Sequence, residues 1–161
     1  MGIYKFYDWN PYTDEEQNLS RNEYVELFRC CCKHCTVMSL IFRYKDAHFQ
    51  DDLEKFRIVR PNNINYNFPH YNFANLSTEQ IGVKYYRISE ELYKMLISSV
   101  EGIYDWIYGW GNKNPEDPTF YREDGSIFFS SIIHEGEITL YTKEDENVET
   151  IISNTQWEQI D

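Results

Sequence analysis

Between residues 119 and 142 the chain sets three short apolar runs between two turn signatures, and that pattern leaves few folds open. Residues 119–122 lead into Glu123-Asp124-Gly125-Ser126, where Asp-Gly supplies the positive φ of a tight hairpin. Residues 127–133 form the second run, His134-Glu135-Gly136-Glu137 reverses the chain again, and residues 138–142 form the third. Strands joined by turns this short are antiparallel neighbours, so a β-meander is predicted near the C-terminus.

The rest of the chain is mixed. Ser20-Arg21-Asn22-Glu23 has the form of a capping box, and apolar positions from Tyr24 to Cys35 recur at helical spacing, which predicts a helix over Arg21–His34. Residues 36–43 predict a buried strand, 47–56 a short polar helix, and 83–88 a strand. Ser89 caps a second helix, whose stripe of Leu92, Met95, Leu96 and Val100 is extended toward Trp110, with Gly109 and Gly111 ending it. Residues 1–19 read as an irregular lead-in with aromatic anchors, 61–75 as a long ordered loop, and 114–118 as a turn. Asp145 is expected to cap a last helix over 146–153. The expected fold class is α+β: one domain over residues 1–161, with the meander packed against two or more helices.

The 161 residues carry a net charge of −12, and the charge is uneven. Residues 115–161 hold twelve carboxylates against Arg122 and Lys143, a net of −10. Such a field favours basic partners and disfavours nucleic acid and anionic membranes. No N-terminal apolar segment suggests a signal peptide, and the longest uncharged apolar run, near 36–42, is too short to span a bilayer. A cytoplasmic location is expected.

No pattern specifies catalysis, a cofactor or a metal. Cys30, Cys31, Cys32 and Cys35 crowd into six positions, unlike a framework that staples distant loops. Cys32-Lys33-His34-Cys35 lacks the second pair that a structural zinc site needs and closes a helix instead of opening one. The plainer reading is of reduced thiols acting as small buried hydrophobes. His134-Glu135 lacks the second His of a metalloprotease helix. It leaves open an acid–base pair for a small hydrolytic enzyme, although a polar hairpin tip is the simpler account. Tyr104 to Trp110 packs four large aromatics beside a glycine turn; Trp106 and Ile107 are assigned to the core, with Tyr108 or Trp110 nearer the surface as an anchor.

The segment from Asp117 to Glu137, with its Asp-Gly turn, aromatic strand and His-Glu-Gly turn, followed by a terminal acidic helix, resembles small immunity proteins of bacterial polymorphic-toxin and contact-dependent growth inhibition systems. The resemblance covers residues 115–157. It implies a non-enzymatic inhibitor that binds a cognate toxin, often a nuclease, and occludes its basic active-site face. The candidate interface residues are Glu123, Asp124, Glu135, Glu137, Glu144, Asp145, Glu146, Tyr108 and Trp110. The alternatives are the His134 hydrolase and an acidic regulator or nucleic-acid mimic.

Overall fold

A computed structural model describes residues 1–10, 12–66, 81–153 and 156–161. In chain order the elements are β1 (Gly2–Tyr7), β2 (Trp9–Asn10), β3 (Glu15–Glu16), α1 (Arg21–His34), β4 (Val37–Phe42), α2 (Gln50–Leu53), β5 (Arg57–Ile58) and β6 (Gly82–Arg87). They continue with α3 (Glu90–Ser99), β7 (Tyr108–Gly109), β8 (Asn112–Lys113), β9 (Glu116–Tyr121), β10 (Ile127–Ile132), β11 (Glu137–Thr142), α4 (Glu149–Ile152) and β12 (Glu158–Gln159). The fold is α+β, built on an eight-stranded antiparallel sheet ordered β12-β1-β11-β10-β9-β4-β6-β5. Two short hairpins, β2–β3 and β7–β8, stand apart from it. No helix among the described residues is long and apolar enough to cross a membrane.

The predicted meander is β9-β10-β11, and Gly125 (φ 83°) and Gly136 (φ 67°) supply its turns. α1 forms where its cap dictates: Ser20 Oγ accepts from the Glu23 amide and Glu23 Oε2 accepts from the Ser20 amide. Its buried stripe of Tyr24, Leu27, Phe28 and Cys31 joins Leu92 and Leu96 of α3. Together they cover Met38, Leu40, Phe120, Phe129, Ile138 and Leu140 on one face of the sheet. A smaller cluster of Val37, Ile64, Tyr85 and Tyr121 closes the other face, so β4 is buried along its whole length.

Four expectations are corrected. Residues 2–7 are not an irregular lead-in; they form β1, paired in register from Gly2↔Thr142 to Tyr7↔Glu137. The helix after Ser89 stops at Ser99, where Val100 turns extended (φ −128°, ψ 125°), and Arg21 donates to the freed Ile97 carbonyl and to those of Val100 and Glu101 just beyond. Tyr108 to Lys113 then forms the β7–β8 hairpin. The expected turn at 114–118 is largely strand, since Glu116 already pairs with Ile41 of β4. Asp145 caps nothing: α4 begins at Glu149, with Asn147 Oδ1 accepting its amide, because Glu146 is drawn into an ion pair with Arg122. The loop expected over 61–75 lies, beyond Tyr66, outside the described residues.

Candidate docking surface

Because β9, β10 and β11 alternate in direction, their turns fall at opposite ends of the sheet, and the nine candidate interface residues separate with them. Glu123 and Asp124, between β9 and β10, and Glu144, Asp145 and Glu146, after β11, share one end. Glu135 and Glu137, between β10 and β11, sit at the other, a strand length of about 20 Å away. Tyr108 and Trp110 join that second end, because their hairpin leads directly into the start of β9.

The first end is answered from within at two of its five acids, Glu146 and Asp124. Arg122 donates through Nε to Glu146 Oε1 (2.5 Å) and through Nη2 to Glu146 Oε2 (2.6 Å), with the two side chains only 8% and 7% exposed. The guanidinium also donates to Ser126 Oγ and to the Ile127 and Tyr141 carbonyls, so it clamps three chain segments together. Burial alone would raise the Glu146 carboxyl; the Arg122 guanidinium and the Lys143 amide hold it below the usual range. Lys143 Nζ donates to Asp124 Oδ2 at 2.6 Å, and this bond, with those from Ser126, keeps the Asp124 carboxyl well below the carboxylate norm. Glu123, Glu144 and Asp145 remain exposed. This end therefore presents an open depression of both signs, with Lys33 and His34 in its wall.

The second end is different in kind. All four exposed aromatics among the described residues are here: Trp9, Tyr12, Tyr44 and Trp110. Each stands on an element the sheet carries to this edge. Trp9 and Tyr12 belong to the β2–β3 hairpin that follows β1, and Asn10 Oδ1 fixes its tip by accepting from the amides of Tyr12 and Thr13. Tyr44 follows β4 and stacks on Tyr108 with ring centroids 4.2 Å apart. Trp110 and Gly111 are the two loop residues of the β7–β8 hairpin, both at positive φ (49° and 88°), as a type I′ turn demands. Trp110 is 83% exposed there. A bulky residue in the left-handed region costs about 1–2 kcal/mol, and this one gains no burial in return.

That hairpin is rigidly seated. Tyr108 Oη and Lys113 Nζ both donate to the Asp46 carboxylate, at 2.7 and 3.0 Å, and the His48 amide donates to the Lys113 carbonyl. At its base the Tyr108 amide donates to Glu116 Oε1. Across the sheet, Asp8 N and Tyr104 Oη both donate to the Gly136 carbonyl, which ties the β1–β2 corner to the His134 turn. Tyr44 and Trp9 follow strands four places apart in the sheet, so the surface is about 19 Å wide at the usual strand spacing. Exposed Asp8, Asp14, Glu15, Glu16, Asp46 and Glu135 surround the aromatics, with Arg43, Lys45 and Lys113 as local bases. Glu137 is half-buried and paired with Lys5 at 2.7 Å.

The assigned core residues of the aromatic run, Trp106 and Ile107, are buried, and Trp106 Nε1 donates to the Tyr24 hydroxyl. The cysteines are unpaired; Cys31 and Cys35 are buried, and burial pushes the Cys30 and Cys32 thiols up to about 11 and about 12. His134 does not stand alone: a ring nitrogen and carboxylate oxygens of Glu116 and Asp117 lie within 4.8 Å of one another. Sequence reading missed both carboxylates because Pro115 and Pro118 made their segment look like a turn. It also missed the grouping of Trp9, Tyr12 and Tyr44 with Trp110, which depends on long-range strand order and has no local signature. No family model, curated protein or solved structure matches the chain.

Proposed function

We propose that this chain is an immunity-type inhibitor that captures a basic protein toxin and occludes its cationic active-site face. The observation that carries the proposal is the convergence of the exposed aromatics Trp9, Tyr12, Tyr44 and Trp110 on one acid-rimmed end of the sheet. Aromatics that anchor interfaces sit centrally among polar rims, and acids around them steer a basic partner. A strip about 19 Å wide is the size of the central anchor region of a standard interface of ~800 Å² per partner, with the surrounding acids as its rim. The docking end is thus the Trp110 end; exposed Glu123, Glu144 and Asp145 contribute long-range field more than contact, while Asp124 and Glu146 are answered by Lys143 and Arg122. The resemblance of residues 115–157 to toxin-immunity proteins supplies the partner class, and the net charge of −12 agrees with it. Co-expression with candidate basic toxin domains tests the reading: growth should be rescued by the wild-type chain, and failure to rescue or to co-purify with any of them would reject it.

A second reading, hydrolysis at His134, draws on the two carboxylates beside that imidazole. An imidazole–carboxylate set can move protons. A turnover screen with ester and phosphodiester substrates, comparing wild type with His134→Ala, separates it from the first.

A further inference from the structure

The residues around His134 have a feature that docking does not require. Glu116 and Asp117 are consecutive in β9, and in a regular strand their side chains would point to opposite faces. The β4–β9 register prevents this: Ser39 faces Thr119 and Ile41 faces Glu116, so three steps on β9 oppose two on β4. The extra residue makes a bulge, and Asp117 adopts φ 52° within it. Both carboxylates thereby turn toward one point, where His134 meets them from the turn after β10. Glu116 is 1% and Asp117 3% exposed. Each is oriented by a backbone donor, the Tyr108 amide on Glu116 Oε1 (3.1 Å) and the Ile133 amide on Asp117 Oδ1 (2.8 Å). Arg43 Nη1 stands 3.5 Å from Glu116 Oε1.

Arg43 answers part of the charge on Glu116, and a divalent ion at the meeting point of two carboxylates and an imidazole would add a direct bond to each. The imidazole sets this group apart from an ordinary acidic patch, because it adds a nitrogen donor of intermediate softness. The backbone amides fix the carboxylate ligands as outer-sphere partners do in metal sites. We propose that Glu116, Asp117 and His134 form a binding site for one divalent ion of the Mn²⁺–Zn²⁺ class, which accepts carboxylate oxygen and imidazole nitrogen together. Metal–ligand bonds of about 2.0–2.2 Å hold ligand atoms roughly 3.0–3.5 Å apart, so a group whose atoms lie within 4.8 Å of one another closes by drawing in up to about 1.5 Å. His134 is the exposed member, on a single 3₁₀ turn, and so the one able to move. The ion would link β9 to the β10–β11 turn at the base of the Trp110 hairpin. This inference stands independently of toxin binding.

Mn²⁺ is the probe of choice, since the thiols of Cys30 to Cys35 compete poorly for it. Tag-free protein is titrated with Mn²⁺, and bound ion is followed by electron paramagnetic resonance and calorimetry. The site should take one Mn²⁺ per chain at micromolar affinity and raise the melting temperature. His134→Ala, at an exposed position, should weaken binding at least tenfold and abolish the thermal shift. Asp117→Asn, which keeps an oxygen for the Ile133 amide, should do the same, whereas Glu123→Gln at the far end should change neither. Absence of binding at millimolar Mn²⁺ would overturn the proposal, as would binding that His134→Ala leaves intact.

Discussion

Arg122 shows how one side chain can hold a corner of the fold. Its guanidinium donates to Glu146, Ser126 and two carbonyls, with little of either charged side chain exposed at the floor of the depression. Removing one member of such a pair leaves the other charge buried and unanswered. Glu146→Ala should therefore cost about 3–5 kcal/mol in urea denaturation, and a loss under 1 kcal/mol would show the pair to be solvated. Gly125 constrains a second corner. Its φ is 83°, and a Cβ there would clash with the Asn63 carbonyl oxygen, which is backbone and cannot swing aside. Gly125→Ala should destabilise by about 1–3 kcal/mol. A neutral result in the same denaturation assay would mean that the 61–66 segment does not pack on this hairpin.

At the scale of elements, the β7–β8 hairpin separates stability from binding. Trp110 occupies the left-handed region and is exposed, whereas Asn tolerates that region well. Trp110→Asn should leave stability unchanged or raise it by up to about 1 kcal/mol, while weakening toxin capture at least tenfold. Equal capture by the variant would remove Trp110 from the interface. Local rules made some elements legible in the sequence. The capping box at Ser20 and Glu23 and the periodicity behind it fixed both ends of α1, and Asp-Gly fixed the β9–β10 turn. Other elements depended on partners far along the chain. β1 carries no turn signal of its own and becomes a strand because β11, more than a hundred residues later, pairs with it. The early end of the helix after Ser89 is met by Arg21, on another helix, which donates to the Ile97 carbonyl. The aromatic surface and the His134 group were hidden for the same reason: each is assembled by strand order and a bulge, which no window of sequence encodes.

The whole molecule is an antiparallel sheet whose core is closed by helices on one face, with neutral thiols and phenols among its buried groups. Burial holds Cys30 and Cys32 up to about 11 and about 12, and Tyr66 up to about 12, against ordinary values of 9.0 and 10.0. Groups raised on folding leave stability intact below their unfolded values and remove it as pH climbs toward their folded ones. The urea midpoint should thus hold near pH 8 and fall progressively from about pH 9 to 12, where an unchanged midpoint would contradict this burial. Native protein at pH 8 should also react slowly with iodoacetamide at all four cysteines and rapidly once unfolded.

At this same scale the sheet sorts the acids from one another. Ion pairs answer acids at both ends, Arg122–Glu146 and Lys143–Asp124 at one and Lys5–Glu137 and Lys113–Asp46 at the other, whereas the exposed aromatics gather at the Trp110 end. The most direct measurement of the proposed function is protection of cells that co-express a candidate basic toxin domain, made with two variants of equal folded stability. One carries Tyr12→Ala and Trp110→Asn; the other carries Glu123→Lys, Glu144→Lys and Asp145→Lys. The aromatic variant should lose protection and the charge-reversed variant should keep it. Protection that survives the aromatic changes and vanishes with the charge reversals would place the docking face at the opposite end of the sheet.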